Sequence, residues 1–157
     1  MYWRLGPEYK RRPRDDNRRA MHSIVSHGIP PGLLAFDHDN PDRAVGWCQL
    51  TPRADLDWLD HPRYTEPVDD ADVLSLSCFY VHREYRQRGV AAALVKAACE
   101  MAERANAPAV EAYPVDTDVP GSTSNVFTGT VAMFAAAGFV VVAARTPSRP
   151  IMRLWLT

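Results

Sequence analysis

The chain has 157 residues, of which 46% are hydrophobic and 24% are charged, and its formal net charge is −1. This length and composition predict a single domain over residues 1–157 with an ordinary hydrophobic core. A net charge so near zero argues against dedicated binding to nucleic acid or to anionic membranes, and the longest apolar runs are too short to span a bilayer.

The first element predicted along the chain is a helix over residues 16–26, which Gly28 and the following prolines would end. Its inner face would carry Ala20, Met21, Ile24 and Val25. The basic segment before it, residues 9–19, could be an arm for nucleic acid. Because Asp15 and Asp16 interrupt it, a polar entry to the helix is favoured.

A β-hairpin is predicted next, with strands over residues 33–36 and 44–50 joined by a turn rich in Asp, Asn and Pro. The polar loop of residues 51–71 is long enough that we expect it to contain a short helix or to cover a site. Residues 73–81 are apolar on both faces apart from two serines, which predicts a central strand.

A helix over residues 88–106 and a strand over residues 109–115 would form, with that central strand, a right-handed β-α-β unit. Three further elements close the predicted chain, namely a helix over residues 127–137 and strands over residues 139–144 and 151–156. The three cysteines lie in apolar segments without the spacing of a metal site, and the amino end lacks a secretion signal. Both features predict a cytoplasmic protein with reduced thiols and no metal.

The most informative stretch is the end of the central strand and the start of the next helix, around Gly89. A helix start has free backbone N–H groups and the positive end of the dipole, so it accepts an anion, phosphate above all. Gly89 lets a ligand approach the backbone because it has no Cβ, and Arg86 and Arg88 add positive charge. The pattern predicts a pyrophosphate-binding turn; a plain turn with solvated arginines is the weaker alternative.

At these residues the chain resembles the GCN5-related N-acetyltransferase (GNAT) superfamily. The order Arg86-x-x-Gly89-x-Ala91, after a strand ending at Val81, is similar to the acyl-CoA-binding motif of that family. A second strand ending in Tyr113-Pro114-Val115-Asp116 fits the family as well, and several short segments are similar to those of a bacterial branch. The resemblance implies an α/β (mixed α+β) GNAT fold, a twisted mixed β-sheet with helices on both faces.

The amino end departs from the family pattern. The family normally has a strand and a helix before the helix predicted at residues 16–26. Residues 1–5 would therefore have to form that strand, or the element is missing and the domain is shortened at its amino terminus.

The resemblance implies acetyl-CoA as the cofactor. In the family two central strands separate near their carboxyl ends, and pantetheine binds the free backbone groups. Phe79 and Val81 would meet pantetheine in this way, and the amide nearest Tyr80 would polarise the thioester carbonyl. The pyrophosphate would lie among the residues of the turn: Arg86, Gln87, Arg88, Gly89, Val90, Ala91 and Ala92.

For catalysis, many family members have a tyrosine acid four residues before a Gly-Phe pair. Here Gly138-Phe139 is present, but the acid position is Phe134. Glu111 is the best candidate for the base, because a central strand would desolvate its carboxylate, and Tyr113 shares its face and could lie near the acceptor. The alternative left open is a structural Glu111 paired with an arginine.

Other candidate residues are weaker. His82 is favoured as a surface residue and Cys78 as an inert thiol, while Trp58 and Tyr64 could line an acceptor pocket. The thiol of CoA has a pKa of about 8.5, so its thiolate is an adequate leaving group. Acid catalysis of thiolate departure would therefore matter little. A Phe134→Tyr variant is therefore expected to fold normally, if the added hydroxyl faces the active-site cleft, and to change turnover by less than about tenfold.

Together these features predict an acetyl-CoA-dependent N-acetyltransferase that moves acetyl directly to a primary amine in a ternary complex. The acceptor would be a small molecule or a peptide, with no nucleic acid or membrane partner, and a homodimer is a further option. The alternative is a non-catalytic acyl-CoA-binding regulatory module, which the substitution at Phe134 keeps open. A nucleic-acid-binding protein is a third and weaker interpretation.

Overall fold

The computed structural model of the chain describes residues 1–28, 30–122 and 126–156, and its strands form one six-stranded mixed sheet. The strands are β1 (Gly32–Phe36), β2 (Ala44–Pro52), β3 (Leu74–Val81), β4 (Ala109–Ala112), β5 (Val140–Ala143) and β6 (Ile151–Trp155). Their order in the sheet is β1-β2-β3-β4-β6-β5. Strands β3 and β4 run parallel, and the other neighbouring pairs run antiparallel. The predicted hairpin and mixed sheet are confirmed.

The helices lie on both faces of this sheet, as the resemblance implies. They are α1 (Tyr2–Leu5), α2 (Glu8–Arg11), α3 (Arg14–His27), α4 (Val90–Arg104) and α5 (Val131–Ala136). Val110 and Ala112 of β4 face a core that α4 and α5 cover. Because side chains alternate along a strand, Glu111 points to the opposite face, where Trp3 of α1 packs. No helix of the described residues is long and apolar enough to cross a membrane.

Helix α4 connects β3 and β4 and lies close to the sheet. Its buried stripe is Leu94, Val95, Ala98, Cys99 and Ala102. Gly46 of β2 permits this approach, because a Cβ there would lie 2.7 Å from a methyl carbon of Val90. The close contact fixes the first turn of α4 against the sheet, so the position of the turn at Gly89 is set by core packing.

The amino end follows the second of the two options given for it, since residues 1–5 do not form the strand that the family normally has. Residues 2–5 form helix α1 and not a strand, so among the described strands β1 pairs with β2 alone. The Trp3 side chain explains the difference, because it is 3% exposed and its indole N–H donates to the carbonyl of Ser77, 3.0 Å away. Helix α3 ends at His27, directly before the predicted stop at Gly28, but Val25, expected on its inner face, is 57% exposed.

The predicted bounds of other elements also differ from those observed, most of all for β4 and α5. The loop of residues 51–71 contains three short 3₁₀ turns, which confirms the expected local helix. Strand β4 ends at Ala112, because Pro114 has no N–H for a sheet hydrogen bond. The predicted helix of residues 127–137 begins only at Val131, since Thr130 caps it by accepting a hydrogen bond from the amide of Met133, and a 3₁₀ turn (Val126–Thr128) precedes it.

Candidate active site

Strands β3 and β4 separate partway along their length. Their pairing runs only from Leu74–Val110 to Leu76–Ala112, whereas β3 continues beside β2 as far as Val81. At this point Ser77 forms a β-bulge, because Cys78 pairs with Gln49 and Leu76 with the next residue of β2. The last part of β3 is therefore free of β4, and a ligand can bind along its backbone.

A cavity of about 480 Å³, called here the cleft, lies where the two strands separate. One wall is the end of β3 and the start of α4, formed by Phe79, Tyr80, Val81, Arg86 and Ala91. The other wall is the segment before α5 together with the first turn of that helix, formed by Val126, Phe127, Gly129, Thr130 and Met133. The sequence predicted the residues of the first wall as cofactor-binding residues. It did not predict the second wall, which the fold brings there from about 50 residues further along the chain.

The turn into α4 presents free amides next to the cleft. Gly89 has φ +79°, and the first helical hydrogen bond runs from the amide of Ala93 to its carbonyl. The amides of Val90, Ala91 and Ala92 therefore precede the intrahelical bonds. A Cβ added to Gly89 would meet no protein atom within 4 Å, so this side of the turn is open to a ligand.

Other residues of the turn fix its shape and charge. Gln87 also has a positive φ of 59°, so two left-handed residues shape the turn. The Nε of Arg86 donates to the carbonyl of Val81, 3.2 Å away, and the guanidinium carbon of Arg88 lies 5.5 Å from the ring centroid of Tyr85. Gln87 and Arg88 are exposed, so the positive charge and the free amides face solvent together. Such an arrangement suits a phosphate group.

A second cavity of about 400 Å³, called here the aromatic cavity, lies on the other side of the end of β3. Its aromatic side chains are Tyr2, Trp3, Tyr9, Tyr64 and Phe127, and Met1, Lys10, Cys78 and Arg149 complete the lining. Phe127 lines both cavities, and Cys78 of this one precedes Phe79 of the cleft. The two cavities therefore approach each other at these three residues.

Glu111 and Tyr113 share one face of the sheet, as predicted, but they lie in a buried polar network. The Tyr113 hydroxyl donates to one carboxylate oxygen of Glu111 over 2.7 Å. Arg153 Nε donates to the other carboxylate oxygen of Glu111 over 2.6 Å. Arg53 lies 3.6 Å from the same carboxylate. Burial and the Glu111 charge raise the pKa of Tyr113, so it stays protonated. Neither residue is among the described residues that line the two cavities.

These contacts correspond to the structural alternative for Glu111. Glu111 is completely buried and Tyr113 is 1% exposed. A base must reach the proton that it removes, and among the described residues Glu111 lines neither cavity. The roles of Glu111 and Tyr113 in catalysis stay predictions.

Of the remaining candidates, Cys78 and Tyr64 line the aromatic cavity, whereas Trp58 and His82 are not among the described residues that line either cavity. Burial raises the pKa of the Cys78 thiol, so the thiol stays protonated and is a weak nucleophile at the edge of the aromatic cavity. Tyr64 lines this cavity as predicted, whereas Trp58 stacks on His61 with ring centroids 4.0 Å apart. His82 lies 3.7 Å from Glu84 and is not among the lining residues described.

Phe134 is fully buried, with ring centroids 6.0 Å from Phe79 and 5.0 Å from Phe139. Its ring tip lies under Gly129, where the position of an added Cβ would be 3.4 Å from the Cζ atom of Phe134. A hydroxyl on this ring would enter that packed region directly beneath the cleft. The expectation that Phe134→Tyr folds normally therefore does not agree with the structure, because the new hydroxyl would be desolvated.

We now expect Phe134→Tyr to lower the free energy of unfolding by about 1–3 kcal/mol, the cost of a buried hydroxyl without a partner. Turnover of the folded protein should still change by less than about tenfold, since the thiolate needs little acid catalysis. Thermal unfolding and steady-state kinetics measure the two effects. Phe139→Tyr in the same cluster is the control for stability, and a hundredfold gain in turnover of Phe134→Tyr would show that the natural protein lacks a required acid.

Comparison with known proteins identifies the family. Residues 1–125 match the model of the acetyltransferase (GNAT) family, which is more than half of the chain. The chain therefore belongs to the GNAT family of acetyltransferases, whose members use acyl-CoA. No curated protein matches the chain.

Solved structures of similar fold include three N-acetyltransferases or their complexes. A GCN5-related N-acetyltransferase from Kribbella flavida is 20% identical with a TM-score of 0.55, covering 89% of this chain and 77% of that one. The NatC complex bound to Gag peptide and CoA is 15% identical with a TM-score of 0.56, covering 93% and 82%. Ribosomal-protein-alanine N-acetyltransferase from Brucella melitensis is 16% identical with a TM-score of 0.55, covering 90% and 78%. At these identities the similarity establishes the fold.

Proposed function

We propose that the protein is an acetyl-CoA-dependent N-acetyltransferase that transfers acetyl directly to a primary amine. The observation that carries the proposal is the pair of cavities that approach each other at Cys78, Phe79 and Phe127. One cavity adjoins a turn suited to phosphate, and the other has the size of a small-molecule site. Two sites on either side of one strand end allow both substrates to bind together, so no acyl-enzyme is needed.

The residues of the cleft fit acetyl-CoA. The open side of Gly89 and the amides of Val90, Ala91 and Ala92 would hold the pyrophosphate, with Arg86 beside it. The unpaired edge of β3 would hold the pantetheine arm through backbone hydrogen bonds. CoA also occupies the NatC structure of similar fold. The cofactor supplies the thioester, and the chain positions it.

In the reaction, the amine nitrogen attacks the thioester carbonyl, the C–N bond forms and the C–S bond breaks. A backbone amide at the end of β3 would stabilise the developing oxyanion. No described residue that lines the aromatic cavity is a carboxylate or a histidine. We therefore propose that the acceptor reacts as the neutral amine, that its proton passes to water, and that the thiolate leaves unprotonated.

This proton path predicts a specific pH dependence. Below the pKa of the acceptor ammonium, each unit of pH raises the neutral fraction tenfold, so kcat/KM should rise with a slope near one on a logarithmic plot. The rise should end at the pKa of the acceptor itself. Two acceptors of different pKa, assayed over the same pH range, provide the measurement. A plateau at one pH for both acceptors would instead indicate a base in the protein.

Release of free CoA in the presence of an amine panel tests the proposed function, with mass spectrometry of the acetylated product. The alternative, a non-catalytic acyl-CoA-binding module, would bind CoA in calorimetry without releasing it from acetyl-CoA in the presence of any amine. The buried Phe134 at the acid position is the observation that favours this alternative. Lys96→Ala, an exposed change on α4, serves as the control for preparation effects.

A further inference from the structure

The aromatic cavity is lined mainly by aromatic side chains, together with two cationic ones. Five of its lining side chains are aromatic, and Tyr9 and Phe127 are each 39% exposed, so ring surface is available. Trp3 is fixed by its hydrogen bond to Ser77, and its ring meets Tyr2 edge to face with centroids 5.2 Å apart. Fixed aromatic walls favour a flat apolar group in the ligand.

The charged side chains in the described lining are Lys10 and Arg149, both cationic. Arg149 is held in place, since it donates to the Thr128 hydroxyl over 3.2 Å and its guanidinium carbon lies 5.9 Å from the Tyr64 ring centroid. Burial raises the pKa of Tyr64, so this phenol stays neutral beside the guanidinium. A positioned guanidinium in such a wall favours a carboxylate.

The position of Arg149 limits how far the carboxylate and the reacting amine can be apart. Its partner Thr128 is adjacent to Phe127, the residue that lines both cavities. A carboxylate bound at Arg149 would thus lie near the junction where the amine must meet the thioester. An α-amino acid, with one carbon between the two groups, satisfies this requirement.

We infer that the acceptor is a free α-amino acid with an aromatic side chain, whose carboxylate Arg149 binds and whose ring packs in the aromatic cavity. This inference rests on the proposed function and names the acceptor class of that site. Polyamines and aminoglycosides fit poorly, because their extra ammonium groups would face Lys10 and Arg149 without a carboxylate in the described lining. The aspartates of a separate groove, Asp60, Asp69, Asp70 and Asp72, lie near the opposite end of β3.

The test compares three amines in the CoA-release assay: phenylalanine, 2-phenylethylamine, which lacks only the carboxylate, and spermine. We expect kcat/KM for phenylalanine, compared at equal concentrations of neutral amine, to exceed that for 2-phenylethylamine by at least about tenfold, with spermine slower still. Arg149→Gln should bring the ratio of the first two close to one. Arg145→Gln should preserve the ratio, because Arg145 lies in the same loop but donates to the carbonyls of Glu66 and Pro67.

Equal or faster reaction of 2-phenylethylamine or spermine, or an unchanged ratio in a folded Arg149→Gln protein, would overturn the inference while leaving the acetyltransferase function intact. Failure of every amine to release CoA would instead contradict the proposed function. In that case calorimetry of phenylalanine with the CoA-saturated protein decides the inference. Binding that Arg149→Gln weakens at least about tenfold supports it, and no binding overturns it.

Discussion

Gly89→Val is expected to weaken CoA binding by at least about tenfold, or about 1.4 kcal/mol. Gly89 has φ +79°, a region that valine adopts only at a cost of about 1–2 kcal/mol, so the turn would rearrange. In addition, the valine side chain would occupy the open space beside the free amides of α4. Both effects act on the place where we expect the pyrophosphate. Isothermal titration calorimetry with CoA measures the loss.

A matched control separates backbone strain from ligand contact. Gly121 has φ +81°, and an added Cβ there would also meet no protein atom within 4 Å. Gly121→Val should therefore lose a similar amount of stability in thermal unfolding but keep its affinity for CoA. An unchanged dissociation constant of CoA for Gly89→Val would show that the pyrophosphate does not bind at this turn.

The turn and the β-α-β unit could be predicted from sequence because their signals are local. The apolar run before the turn, the glycine and the alanine-rich helix are consecutive, and the elements that they form need no distant partner to be identified. Connection rules then place β3 and β4 side by side. The local signals and the connection rules together are sufficient to predict which residues form one wall of the cleft.

The aromatic cavity could not be predicted in the same way. Its residues come from both ends of the chain and from the loop between β2 and β3, and no spacing along the sequence relates Tyr9, Tyr64 and Arg149. The sequence also left open whether residues 1–5 form a strand, and the burial of Trp3 against Ser77 decides in favour of helix α1. Tertiary packing overrides local propensity in so short a segment.

The arginine that pairs with Glu111 could not be predicted from the sequence either, because the register of the sheet determines which residue lies opposite Glu111. Glu111 pairs with Arg153 across β4 and β6, two positions 42 residues apart in sequence. The sequence predicted that Glu111 is either a desolvated carboxylate or the partner of an arginine. In the structure it is both, because it is completely buried and accepts a hydrogen bond from Arg153. The register places Arg153 directly opposite Glu111, and both side chains are buried.

Replacing Glu111 by alanine is expected to lower the free energy of unfolding by about 3–5 kcal/mol, because a buried ion pair loses one partner. Arg153 is 1% exposed and would keep Asp69 as its ion-pair partner among the described residues, while Arg53 would keep Asp60. Whole domains are stable by only about 5–15 kcal/mol, so this loss should remove a large part of the stability and lower the melting temperature in thermal unfolding. Glu100→Ala, which breaks an exposed pair with Lys96, should cost less than about 1 kcal/mol.

Glu111→Gln decides between structure and catalysis, because it keeps the shape of the side chain and one acceptor oxygen. If Glu111 is structural, as its contacts indicate, this variant should lose about 1.5–3 kcal/mol of stability but keep the turnover and the pH profile of its folded fraction. If Glu111 is the base, turnover should fall, the acidic limb should disappear and CoA affinity should stay the same. Assays at a temperature where both proteins are folded separate these results, since a base works through the folded state and a structural residue works by maintaining it.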